Sequence, residues 1–477
     1  MSGTLEKAET LQSAGKVETA GQLASAVLAG RKTAVEAVTE ALGRLEKYSS
    51  LNAMVHIDPD VAMAAAQRVD SEIARGRRNL PLAGVPFVIK DSIMTSTMPT
   101  TAGSSLLRNF KPARTATVVE LMIEAGAIPI GKANLHELAF GITGVNPKYG
   151  TVKNPHDMNR IAGGSSSGTA AAVATAVPLG LATDTGGSAR IPAAFCGIYG
   201  FRPSLNRYPK DGRIEISRTL DTIGTMARSI YDLCLMDDVL TQKIVRTTWR
   251  LPHSRIAVPS AAHLESADEH VRMAMIGVLD GLRDSGVTFE EIDISRLSEL
   301  DQSARSVIAL HEARAWWSAF CQDKLGMSIA ELASEVASAD VRNVFEFMCS
   351  HEMFSDRDYF VAMNQREEII SWYEDLFRRK RFDCLMRPTT LCVPPLASDV
   401  PHNMPTEASA ALFSNIISQT SPASIAGIPS LSMPATFPDA NLPVGVMCEG
   451  PFASDSSLLS LAADIDQMIR NKGGFGA

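Results

Sequence analysis

The sequence predicts an α/β fold built as one large domain, and three observations carry that expectation. Short apolar runs of strand length alternate with amphipathic stretches of helical period along the N-terminal half. The run at residues 82–89, LAGVPFVI, is apolar throughout, as suits a strand covered on both faces. No stretch rich in Pro, Gly and Ser divides the chain, although its 477 residues would allow two or three ordinary domains.

The elements follow in order. Between residues 21 and 47 Leu23, Ala26, Val27, Ala37, Val38, Ala41, Leu42 and Leu45 recur at helical spacing around Gly30, and Thr33 is placed to cap a second helix. Residues 61–75 read as another amphipathic helix, and the strand at 82–89 ends on Lys90. Residues 117–125 read as a helix closed by Gly126, and 127–130 as a strand running into Gly131 and Lys132. Then come a Gly/Ser loop, a helix at 170–176, a strand at 179–182, and a turn at Thr185, Gly186, Gly187 and Ser188 that opens a further helix. Beyond about residue 250 the pattern changes to long amphipathic helices at 270–284, 304–320 and 360–380, with strands at 255–258 and 384–386. The domain is therefore expected to hold a core over about 80–250, a helical region over about 260–380 and a return to the core over about 382–477.

Composition narrows the function. An apolar content of 45% with 21% charged residues is that of a packed globular protein. Lys plus Arg (45) against Asp plus Glu (53) leaves a net charge of −8, which disfavours a partner read through phosphates. The short cationic run at 378–381 reads as a solvated helix end. Seven scattered cysteines without a C-x-x-C pair predict reduced thiols and a cytoplasmic location. Residues 1–17 lack a basic region followed by an apolar stretch, and the apolar segment 170–182 is too short and too interrupted to span a bilayer. No clustered metal ligands occur, so neither a metal nor another cofactor is expected.

Three motifs could carry chemistry. The first is GGSSSGT at 163–169, whose small residues let backbone amides approach a ligand; taken alone it is equally a phosphate loop or a flexible turn. It lacks the Lys of a P-loop and the spacing of a dinucleotide fingerprint. The second is DTGGSARIP at 184–192, in which two glycines before Ser188 can aim successive N–H groups into one concavity, or simply cap the next helix. The third is GVPFVIKD at 84–91, placing Lys90 at the end of a buried strand, where a lone lysine is usually salt-bridged. A Ser/His/Asp hydrolase would need a nucleophile elbow, and no G-x-S-x-G surrounds Ser188. The formal match around Ser166 lacks the strand such an elbow requires, and His136 and His156 read as structural.

Together the motifs resemble the amidase signature family: GGSSSGTAAA, then DTGGSARIPAAFCGIYGFRPS with Ser188 lying 23 residues after Ser165 (188 − 165), and VIKD with Lys90 lying 75 residues before it (165 − 90). The resemblance extends to KANLHE at 132–137 and GIPSLSMP at 427–434, and is weakest between about 250 and 383. Residues 140–143, 202–209 and 442–445 look most like indoleacetamide and mandelamide hydrolases. Two departures stand out. Ser167 replaces the family's usual glycine, and the interval between the serines is one residue short, with the gap near Ala176 and Val177.

The resemblance implies a mixed central β-sheet flanked by helices on both faces, and a Ser-cisSer-Lys triad of Ser188 (nucleophile), Ser165 (relay) and Lys90 (base). It implies an oxyanion hole from the amides of Thr185, Gly186, Gly187 and Ser188, with Ser166, Asp184 and Arg190 supporting the triad, Arg190 through a carboxylate beneath the site. The substrate pocket is expected at Phe140, Gly141, Ile142 and Thr143, with further walls from 348–360, 420–425 and 388–390. The activity implied is amide hydrolysis of small aryl or alkyl amides through an acyl-enzyme. Carbamate or ester cleavage is the near alternative, and the A subunit of a glutamine-dependent amidotransferase a further one. Expected partners are a small-molecule amide or carbamate and a second copy of the chain in a homodimer, with no nucleic acid and no membrane.

Overall fold

A computed structural model describes residues 17–244, 251–435 and 442–471; the first sixteen residues, part of the stretch read above for a secretory signal, lie outside them. The expected strand at the start of the core is Pro86–Lys90, shorter than the apolar run because Leu82 and Ala83 are turned by bonds from Leu82 N–H to Ala125 O and from Val85 N–H to Leu82 O. All five of its residues are buried. Successive side chains of a strand point to opposite faces, so both faces are covered.

That strand is one of eleven among the described residues: β1 (Met54–Ile57), β2 (Pro86–Lys90), β3 (Ile128–Ala133), β4 (Leu179–Asp184), β5 (Tyr199–Arg202), β6 (Thr222–Ala227), β7 (Arg255–Pro259), β8 (Thr288–Ile292), β9 (Cys384–Pro388), β10 (Ser430–Pro434) and β11 (Gly445–Glu449). They form a single sheet in the order β1-β3-β2-β4-β6-β5-β10-β11-β9-β7-β8. The sheet is mixed: β3, β2 and β4 run parallel, β4 through β9 pair antiparallel, and β9, β7 and β8 run parallel again. The chain is one large mixed α/β domain, whose main core gathers residues from Ala20 to Ile469.

The helices follow their local chemistry. Thr33 caps Ala34–Lys47 in a reciprocal capping box with Glu36, and Asp58 with Pro59 opens Pro59–Ala74. The helix expected at 304–320 begins nine residues earlier, as Ser295–Phe320, because Leu297 and Leu300 extend the buried stripe backward. The one expected at 360–380 is Asp356–Glu374, capped by Ser355, with a π-turn over Asp375–Arg379. Between the serine motifs the helix Ser167–Thr175 stops, Ala176 leaves helical geometry and β4 starts three residues later. No helix among the described residues is long and apolar enough to cross a membrane.

Candidate active site

Strands β2 and β4 are parallel neighbours with Ile89 opposite Leu181, so their carboxyl ends lie side by side, where ligand sites of open α/β sheets form. Lys90 ends the first strand, and Thr183 and Asp184 end the second. The loop at 163–166 leads into the helix Ser167–Thr175, which packs on both strands. Lys90 Nζ lies 2.7 Å from Ser165 Oγ and 2.7 Å from Thr183 Oγ1. Lys90 and Ser165 are wholly buried, while Ser188 keeps 8% of its surface exposed. The Gly164–Ser165 peptide is cis. The two serine loops are tied by the Ser166 N–H donating to Ser188 O at 3.2 Å, and the Ser166 hydroxyl turns to Thr183 O at 3.4 Å, so Ser165 and not Ser166 faces the lysine.

Burial governs the electrostatics. Loss of water pushes the Lys90 ammonium down to about 7, an effect only partly offset by the charges of Asp184 and Asp221. Asp184 would be pushed up by its own burial, but Arg190 and Arg202 outweigh this and hold it well below the usual carboxylate range. Its oxygens accept from Arg190 Nη2 at 2.8 Å, Arg190 Nε at 3.0 Å, Arg202 Nη1 at 3.2 Å and the Ala189 N–H at 3.1 Å. The carboxylate thus pins the start of the helix that follows Ser188. A second buried lysine, Lys132, is paired with Asp91 at 3.5 Å and bonds Thr100 and the Ile93 carbonyl, away from the serines.

Four consecutive amides lead to Ser188. Among the described residues, the N–H groups of Thr185, Gly186, Gly187 and Ser188 meet no protein acceptor. Gly187 has φ of +143°, a conformation that requires glycine. The loop is anchored from outside: Thr185 Oγ1 donates to Asp221 Oδ1 at 2.7 Å, and Thr420 Oγ1 to Gly186 O at 2.6 Å. A run of free N–H groups beside a partly exposed hydroxyl can stabilise an oxyanion formed on a carbonyl that the hydroxyl attacks.

A cavity of about 430 Å³ opens beside Ser188, Gly186 and Thr185. Phe140, Gly141, Ile142 and Thr143 line it. Phe140 is held by rings behind it, 5.1 Å from Phe345 and 6.4 Å from Trp317 between centroids. Residues 348–360 do not line it: the wall comes from Asp340, Asn343, Val344 and Phe347 of the helix Ala339–Cys349. The helical period explains the correction, since 340, 343, 344 and 347 form one stripe while Val341, Phe345 and Met348 form the other and are buried in the aromatic cluster. Of the segment 420–425 only Ser421 reaches the cavity, and none of 388–390 does, because Thr389 is spent on Ser432 Oγ at 2.7 Å between strands. Further walls come from the helices Ser295–Phe320 and Thr406–Ile417, from Val145, Ile216 and Leu220, and from the segment 400–404.

Both histidines read as structural are engaged with protein groups: His136 lies between Thr143 Oγ1 at 3.2 Å and Asp340 at 3.0 Å, and His156 meets Cys196 O at 3.0 Å. Among the described residues no three His, Cys, Asp or Glu side chains gather as metal ligands. Thr183, Asp221 and the helix Thr406–Ile417 carry no motif in the sequence, although Thr183 stands directly before Asp184; Thr420 falls in the segment 420–425 expected as a pocket wall, but it lies outside the cavity lining and bonds the serine loop instead.

The family model described as Amidase matches residues 36–459. Mandelamide hydrolase of Pseudomonas putida is 36% identical over 465 residues, covering 94% of this chain and 90% of that protein. Indoleacetamide hydrolase of Agrobacterium vitis is 34% identical over 446 residues, covering 91% and 93%. A crystal structure of an amidase superposes with a TM-score of 0.83 at 28% identity, covering 96% of this chain and all of that one.

Proposed function

Since the chain belongs to the amidase signature family, we propose that it hydrolyses small aryl- or alkyl-substituted amides through an acyl-enzyme on Ser188, with Ser165 as proton relay and Lys90 as base. At the coarser level it is a hydrolase of carbon–nitrogen bonds other than peptide bonds. The observation that carries the finer reading is the 2.7 Å contact between a fully buried lysine and a fully buried serine, beside a second serine flanked by free amides.

A neutral Lys90 amine has one lone pair and two N–H bonds. With one N–H given to Thr183 Oγ1, the lone pair can turn to the Ser165 hydroxyl. Ser165 passes its proton to Lys90 while taking the proton of Ser188, whose oxygen attacks the substrate carbonyl carbon. The negative oxygen of the tetrahedral intermediate sits among the amides of residues 185–188. Collapse breaks the C–N bond as Ser165 hands a proton to the departing nitrogen and recovers one from Lys90, so the amine leaves neutral. Water then enters by the same relay and releases the carboxylic acid.

The apolar walls from Phe140, Ile142, Leu310, Phe347, Phe413 and Ile417 favour an aryl or branched alkyl acyl group. A matched panel of arylacetamides, alkyl amides, anilides, carbamates and esters tests this. Arylacetamides are expected to give the highest kcat/KM among the amides, exceeding acetamide by at least about 10²-fold, a factor in keeping with burial of several methylene equivalents. Equal rates for acetamide and arylacetamides would contradict an apolar acyl pocket, and carbamates outrunning every amide would reassign the substrate class.

A further inference from the structure

We propose that Thr420 is the positioning residue that turns the Gly186–Gly187 peptide so that its N–H faces the reacting carbonyl, an inference that rests on the acyl-enzyme reading. Thr420 is buried, precedes the short helix Ser421–Ala426, and lies behind the serine loop, outside the lining of the cavity that Gly186 and Ser188 help to form. Its hydroxyl has a single proton and two acceptors in reach, Gly186 O at 2.6 Å and Ile417 O at 3.1 Å. The nearer is the carbonyl of the loop.

The consequence follows from peptide geometry. In a trans peptide the C=O and the next N–H point in opposite directions. A Gly186 carbonyl drawn back toward Thr420 therefore sends the Gly187 N–H the other way, between the cavity-lining residues Gly186 and Ser188, where it meets no acceptor among the described residues. This peptide lies between two residues without Cβ atoms, so local sterics do little to fix its plane, and an external bond must do so. Thr420 makes no side-chain capping bond to the helix it precedes, so its hydroxyl is not serving that helix. It is itself held in place, its carbonyl accepting from Arg190 Nη1 at 2.8 Å, and Arg190 is clasped by Asp184. A line of bonds thus runs from the buried Asp184 carboxylate through Arg190 and Thr420 to the peptide that shapes the oxyanion site.

Thr420→Val keeps the shape and removes the donor. Steady-state kinetics on an arylacetamide, with inhibition by an arylboronic acid and by the parent arene without a carbonyl, separates positioning from packing. The expected result is a fall in kcat of about 10²-fold with KM changed less than about threefold, the scale of losing one oxyanion donor. Boronate affinity, which depends on a tetrahedral oxygen in the same site, is expected to weaken by a similar factor, arene affinity to stay constant, and Thr420→Ser to restore activity. Wild-type kcat in Thr420→Val, a kcat loss with boronate affinity intact, or a Thr420→Ser variant as impaired as the valine would each overturn the proposal. Should the valine variant fail to fold, Thr420→Ala is read by the same boronate-to-arene ratio. Failure of the underlying reading shows separately, as wild-type protein that a fluorophosphonate does not label at Ser188.

Discussion

Ser188→Ala is expected to leave a folded protein whose turnover of any good amide has fallen by at least about 10⁴-fold. The size of the effect follows from what the hydroxyl is asked to do. Without it there is no covalent intermediate, and water would have to attack an amide carbonyl with a relay built to deprotonate a serine. The free amides of residues 185–188 would still bind the carbonyl oxygen, so substrate affinity should change little and the loss should fall on kcat. Folding is not in question, because Ser188 keeps 8% of its surface exposed and its backbone carbonyl, not its side chain, takes the bond from Ser166. The check is kcat on the purified variant with its melting temperature beside it. Activity within tenfold of wild type would remove Ser188 from the chemistry.

Lys90→Met should cost about 10²- to 10⁴-fold in kcat, the range of general-base catalysis. Methionine fills nearly the same volume, so the packing of a wholly buried strand end is kept while the base is lost. The variant also removes a group that burial forces toward neutrality, so thermal stability is expected to hold or rise. That pairing of outcomes is diagnostic. A lysine with a merely structural role, bonded to Ser165 and Thr183, would show the reverse: lower stability with activity largely kept. Kinetics and calorimetry on the same preparation separate the two.

The parts of this molecule that were legible in its sequence are those whose signal is local. Strands β2 and β4 are unbroken buried segments, and the caps at Thr33 and Gly126 are short-range chemistry. The three motifs that meet at the site also lie on or next to those elements. Strands β5, β10 and β11 were not foreseen, because each is four or five residues long and carries polar side chains whose partners are distant. Arg202 reaches Asp184, Ser432 reaches Thr389, and Glu449 reaches Arg387. Polarity that is satisfied across the sheet reads as loop along the chain.

The same holds for the residues that steady the serine loop. Asp221 comes beside Thr185 only because β6 runs antiparallel to β4 with Thr222 opposite Asp184, a register that no window of sequence contains. Thr420 is more than two hundred residues from Gly186. The loop at Phe140 lines the cavity, whereas in place of residues 348–360 it is the face of the preceding helix that does so. Apolar content alone does not separate the two stripes of that helix, one facing the cavity and the other the aromatic core.

Catalysis by this relay requires Lys90 to be uncharged when the reaction begins, which fixes the sign of the pH dependence. Burial lowers the folded-state value from an ordinary lysine range to about 7, so the amine is protonated and inert as a base below that pH and free above it. The most direct measurement is the rate of covalent modification of Ser188 by a fluorophosphonate from about pH 5 to 9, a range in which the reagent itself does not titrate. The rate should climb about tenfold per pH unit at the acid end, bend near pH 7 and level off, with the limb absent in Lys90→Met. A rate independent of pH across that range, or an identical limb in Lys90→Met, would contradict a lysine base.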